Sequence, residues 1–218
     1  MATEPQIVDE GGPPQAAPEF PMSVGWTQAV VAVNSILQLS LPMLLKMEIE
    51  GHGPLLVDFR YHAFSWSTPL ENFPVDAVHT GLATEPTDLD SPPLFELPGQ
   101  NLDGLLWEIG INSFGGASAS WLPPGGRFKL SRWPNLTKHS HTIRQMHMMA
   151  MLGNAHVSVS ELAAFAGVDD SEAQRLINAL SLMRIVNHSI ETPAPEVIEA
   201  VAVQPSGLFA RLRARLGR

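Results

Sequence analysis

The chain has 218 residues, 44% of them apolar, enough to fill one large core or two small ones. It has no cysteine, which excludes disulfides, thiolate metal ligands and cysteine nucleophiles. The net charge of −9 hides a segregation: residues 1–125 hold 15 acidic and 2 basic residues, 126–160 hold 5 basic and no acidic ones, and 161–218 hold 7 acidic and 6 basic.

Residues 1–22 carry Pro5, Pro13, Pro14, Pro18 and Pro21, four acids and no Lys or Arg. They lack the basic start and apolar run of a secretory signal, and read as a disordered acidic leader. A helix is expected from about Val24 to Ser40, ending near Leu41 because Pro42 disfavours helical geometry in the residue before it. The apolar run from Val24 to Met47 is interrupted by Gln28, Asn34, Gln38 and Ser40, which favours a buried helix over a membrane span. "MLLKMEIEG" reads as a short helical or extended piece before the Gly51–Pro54 turn. "PLLVDFRYHAFSW" then alternates as one strand, with Leu56, Asp58, Arg60 and His62 on one face. A shorter strand is expected near Ala77 to His79, and residues 83–100, dense in Pro and Asp, read as a long loop.

"NLDGLLWEIGINSF" resumes helix, with Asn101 as N-cap and Leu102, Leu105, Leu106 and Ile109 on one face. The stretch 115–136 has two glycine turns around short β-like pieces, which would place Phe128 and Leu130 on the inward face of a strand. A helix from about Thr137 to Leu152 follows. Ser158 to Glu161 forms a capping box opening a short helix that ends at Gly167, and Asp169 to Glu172 a second box opening a helix with Ala173, Leu176, Ile177 and Leu180 inward.

Two capped helices joined at Gly167-Val168, followed by "RIVNHSI" as a strand, resemble the winged helix-turn-helix superfamily over about residues 137–192. The resemblance implies a small helical domain of the kind that bacterial regulators and assembly proteins use for DNA or for protein contact. The N-terminal half resembles no family.

The resemblance raises an electrostatic question. A DNA-reading helix needs donors at its start and cations nearby, yet this one opens with Asp169, Asp170, Ser171 and Glu172, and its first cation is Arg175. Carboxylates there favour the helix dipole and would repel phosphates, so protein contact is the leading use. A basic strip supplies the alternative: Arg127, Lys129, Arg132, Trp133, Lys138 and Arg144, with Arg175, are the candidate protein or nucleic-acid contacts. His139, His141, His147 and His156 lie in or near it, but no carboxylate occurs in 126–160, and they read as solvated or capping residues rather than metal ligands.

Catalytic signatures are missing: the sequence has no P-loop, dinucleotide fingerprint, H-E-x-x-H or G-x-S-x-G. "SFGGASASW" is glycine-rich without a following lysine, and Asp58 with His62 is too little for an acid/base pair. In the tail, Leu208, Phe209, Leu212 and Leu216 form a helical stripe with Arg211, Arg213 and Arg215 largely elsewhere, a basic amphipathic helix for a partner groove, for an anionic membrane surface or for the acidic half of its own chain.

Together these features predict an α+β protein. Its expected parts are an N-terminal α+β domain at 23–125, a winged-helix-like domain at 126–192, a linker at 193–205 and a tail helix at 206–218. The expected function is a non-enzymatic cytoplasmic adaptor or regulatory subunit of a bacterial signalling or assembly system, without cofactor or metal, acting on a protein partner. A DNA-binding transcriptional regulator is the alternative. A third reading is a ligand sensor with a pocket near Trp107, Trp121 and Trp133.

Overall fold

The structure, a computed structural model, describes residues 22–75, 78–135 and 141–189. It is α+β, with five α-helices and antiparallel sheets among the described residues. Residues 1–21 of the expected leader, Lys138, His139, the expected linker 193–205 and the tail 206–218 lie outside them, while Met22, expected in the leader, opens the first strand.

Six strands form one antiparallel sheet in the order β1-β5-β2-β3-β4-β6, namely Met22–Val24, His79–Pro86, Met43–Ile49, Gly53–Asp58, Ala63–Trp66 and Gln100–Asn101. Register makes one face apolar. Leu45 pairs with Val57 and Val57 with Phe64, while Met47 pairs with Leu55 and Leu55 with Trp66; all six are buried. Lys46 and Glu48 point the other way and form an ion pair at 2.9 Å, the half-solvated pattern expected of an antiparallel sheet. Helix α1 (Thr27–Leu39) contributes Ala29, Val30, Val33 and Ile36 to the same core.

Three expectations for this half are corrected. Val24 belongs to a strand, and the helix starts only at Thr27, after Gly25 turns the chain with φ of +77°. The 54–66 segment is two strands, because the chain reverses at residues 59–62 with His62 at φ +50°. A period-2 pattern runs through such a reversal without a break, so alternation alone does not reveal it. Finally, β5 extends to Pro86, into the stretch expected to be loop; pairing with β2, where Thr84 faces Leu45, satisfies its backbone inside the sheet. The piece "MLLKMEIEG" resolves to strand β2.

Helix α2 (Leu102–Asn112) is capped by Asn101, whose side chain accepts from the Asp103 N–H at 2.8 Å, as the sequence indicated. After it come β7 (Arg127–Leu130), α3 (Ile143–Asn154), α4 (Val159–Ala166), α5 (Asp170–Leu182) and β8 (Val186–Ser189). Strand β7 pairs with β8 and is bridged on its other side by Val157, and Phe128 and Leu130 face inward as expected. Helix α3 starts at Ile143, not Thr137, because a capping box sits at Thr142 and Gln145. The buried residues of the sheet, α1 and α2 and those of α3 to α5 form one continuous core. Among the described residues no helix is long and apolar enough to cross a membrane.

Candidate functional site

The α4–turn–α5 unit builds itself locally. Ser158 accepts from the Glu161 N–H at 3.2 Å while Glu161 takes the Ser158 N–H at 2.8 Å, and α4 closes at Gly167, in the left-handed conformation at φ +65°. Asp169 caps α5 by accepting from the Glu172 N–H at 2.8 Å and from the Ser171 hydroxyl at 2.6 Å. The Ser171 hydroxyl first, and then the Glu172 N–H, hold its carboxyl below the usual carboxylate range. The acidic opening of α5 is therefore accounted for as helix capping.

The rest of α5 is interior. Ala173, Gln174, Leu176, Ile177, Asn178, Ala179, Leu180 and Leu182 are all buried. Its principal neighbour is α2, and the approach is close: a Cβ built on Gly110 would stand 2.5 Å from the Ala179 Cα. The segment after α2 closes over a further part of the helix. Asn178 accepts from the Ala119 N–H at 3.1 Å and donates to the Ala117 carbonyl at 2.8 Å, and Trp121 Nε1–H donates to Ser181 Oγ at 3.1 Å. Gly116 of the "SFGGASASW" stretch lies against Ser171, where a Cβ would meet the serine Cβ at 2.6 Å. That glycine-rich stretch is a packing joint for α5. Asp170, Ser171 and Arg175 remain exposed on the helix.

The basic strip is only partly available. Arg127 donates to both oxygens of Glu161, at 3.0 and 2.8 Å, and to the His156 carbonyl at 2.9 Å, so its charge is matched within the C-terminal helices. Its Nε is buried without a hydrogen-bond partner. Glu161 is held low by the Ser158 N–H first and then by Arg127. Lys129 shares the outward face of β7 and is half-buried. Arg132 and Trp133 are exposed beyond the strand, with Trp133 against Gly153 of α3, and Arg144 and His147 are exposed on α3. Arg175 stands apart on α5. Lys138 and the tail residues Leu208, Phe209, Arg211, Leu212, Arg213, Arg215 and Leu216 lie outside the described residues.

The tryptophans do not enclose a pocket together: Trp107 is buried, Trp121 is half-buried with its ring 5.6 Å from that of Phe114, and Trp133 is 52% exposed. A cleft of about 490 Å³ lies elsewhere, between β4, β6 and the start of α2, with Phe64, Trp66, Glu71, Gln100, Asp103 and Asn135 in its wall. Asp58 and His62 do not face each other as one strand would have placed them. Asp58 is gripped by Arg60, and His62 Nε2 lies 2.8 Å from Asp103 Oδ1. Beside the cleft, Glu108 is pushed up to about 7, by burial first and then by the Glu71 carboxylate. The sequence reading missed this carboxyl, which changes charge near neutral pH, because Glu71 and Glu108 are far apart in the chain. Among the described residues no group of three or more His, Asp or Glu could hold a metal ion. No family model, characterised protein or solved structure matches the chain.

Proposed function

We propose that the protein is a non-enzymatic cytoplasmic adaptor or regulatory subunit of a bacterial signalling or assembly system, working through protein contacts of a winged-helix-like unit at its C-terminal side. One observation carries this reading: the helix that would have to enter a DNA groove is buried along most of its length against α2 and residues 113–121, and its exposed start is acidic. Base reading needs an accessible helix with donors. The helix–Gly167 turn–helix–strand order, with β8 paired back onto β7, supports the winged-helix resemblance. Three large apolar side chains stand out to solvent on this unit, Trp133, Ile143 and Phe165, at 52, 70 and 59%, and Arg132 and Arg144 adjoin the first two in sequence; exposed aromatic and arginine side chains are the kind that anchor protein interfaces.

The test is affinity capture of the full chain from native lysate beside the variants Ile143→Asp and Phe165→Asp. A stoichiometric protein partner, lost with either variant, is the expected outcome; no stoichiometric partner sinks the reading. A DNA-binding regulator is the second reading, because Arg132, Trp133, Arg144 and Arg175 are all exposed. It calls for binding that weakens steeply with salt and on charge reversal at Arg132.

A further inference from the structure

The C-terminal end of α1 opens onto a groove of about 290 Å³, lined by Ile36, Leu37, Leu41, Pro42, Phe59 and Leu89. Leu39, Leu41 and Leu89, at and beside it, are 66, 51 and 74% exposed, an apolar patch that the described residues leave uncovered. The groove is preorganised by Arg60. Its guanidinium holds Asp58 through two hydrogen bonds, at 2.9 and 2.6 Å, and donates to the carbonyls of Asp88, Ser91 and Pro92 at 2.7, 2.9 and 3.2 Å. That pins the 88–92 loop and fixes Leu89 on one wall, with the exposed Asp88 and Asp90 on the rim. The other rim is the carbonyl end of α1, whose last turn has no basic residue of its own. A helix C-terminus favours cations, and Arg184 already donates to the Leu37 carbonyl there.

The groove therefore asks for an apolar stripe flanked by positive charge, and this chain contains one. Residues 206–218 hold Leu208, Phe209, Leu212 and Leu216 at helical spacing, four arginines and no acid. We propose that this segment docks in the groove of its own chain, its apolar stripe against Leu41, Phe59 and Leu89 and its arginines toward Asp88, Asp90 and the end of α1. The chain can reach. Ser189 is five residues past Arg184, at most about 17 Å along an extended strand, and Arg184 touches the groove at Leu37. A chain of 18 residues, the number from 190 to 207, can bridge up to about 60 Å, and a random coil of that length has an end-to-end distance of about 25 Å. Tethering at that range gives an effective concentration in the millimolar range, so a modest contact suffices to close the groove.

Because the protein has no cysteine, the experiment is clean. In the full chain, Leu89→Cys is combined with Ala210→Cys, which leaves the apolar stripe intact, and the thiols are joined with a short bis-maleimide at high dilution. The expected product is a crosslink within one chain, forming at least tenfold faster than for Phe165→Cys with Ala210→Cys. Changing Arg211, Arg213 and Arg215 together to Glu should slow it to that control rate. A crosslink between two chains, a rate equal to the control, or a rate unmoved by the charge reversal would each overturn the assignment.

Discussion

Gly110→Ala is the sharpest probe of how α5 is held. In an exposed helix, alanine replacing glycine stabilises by about 1 kcal/mol through helix propensity. At Gly110 the added methyl would meet the Ala179 Cα at 2.5 Å and its Cβ at 3.0 Å. The nearest atom is backbone, so no rotamer change relieves the contact and α2 must move off α5. Overpacking of that kind costs about 1–3 kcal/mol, and the backbone contact places this case toward the upper end. After subtracting the propensity gain, Gly110→Ala should destabilise by about 1–2 kcal/mol, lowering Tm by about 2–8 °C for a chain of this size. Gly153→Ala in α3 is the matched control, since its new methyl would lie 3.7 Å from Trp133 Nε1, an ordinary contact. It should raise stability by up to about 1 kcal/mol. Thermal and urea unfolding of the two variants beside the parent read the difference. Stabilisation by both variants would refute the close packing of α2 on α5, and with it the reason for regarding α5 as an interior helix.

Asn178→Ala should cost about 1–3 kcal/mol, because it strands the buried Ala119 N–H and removes the tie to the Ala117 carbonyl; a loss under about 0.5 kcal/mol in urea unfolding would show the Ala119 N–H satisfied otherwise. Glu108→Gln should act in a pH-dependent way. With its folded value raised to about 7 from 4.5, the wild-type carboxyl is favoured neutral in the folded state, so stability falls as pH rises through that window. The shift is worth about 3 kcal/mol unscreened and about 1–2 kcal/mol with the group partly open to water. The Gln variant should therefore gain on the wild type by that amount between pH 5 and pH 8, and a gap that does not change with pH would contradict the burial of Glu108. Arg60→Gln should release the 88–92 loop, read as faster amide hydrogen exchange at Leu89 to Ser91, while unchanged exchange would deny the pinning role.

The parts legible in the sequence are those whose cause is local. The Asn101 cap, the Ser158–Glu161 box, the left-handed Gly167 and the Asp169 cap are each settled within four residues, and each stands where the sequence places it. Strand β7 was legible too, since Phe128 and Leu130 are two apart and both buried. The Thr142–Gln145 box is equally local, yet the expected helix start stood at Thr137, before the box rather than at it. The decisive features join distant positions. Gly110 meets Ala179, Asn178 reaches Ala117 and Ala119, and Glu71 bears on Glu108. Small residues carry no periodic signal of close packing, and a glycine in an amphipathic helix reads first as a weak point. The Asp58–Arg60 grip was hidden by the alternation itself, which read a hairpin as one strand.

We propose that the α4–turn–α5 unit serves protein contact rather than base reading. Binding of the purified full chain to mixed genomic DNA fragments, followed from roughly 50 to 300 mM salt, tests it most directly. No binding at the lowest salt is the predicted result, since α5 is buried and its exposed start is acidic. Tight binding that falls steeply with salt, and that is lost on charge reversal at Arg132, Arg144 and Arg175, would contradict the account and make the C-terminal unit a DNA module.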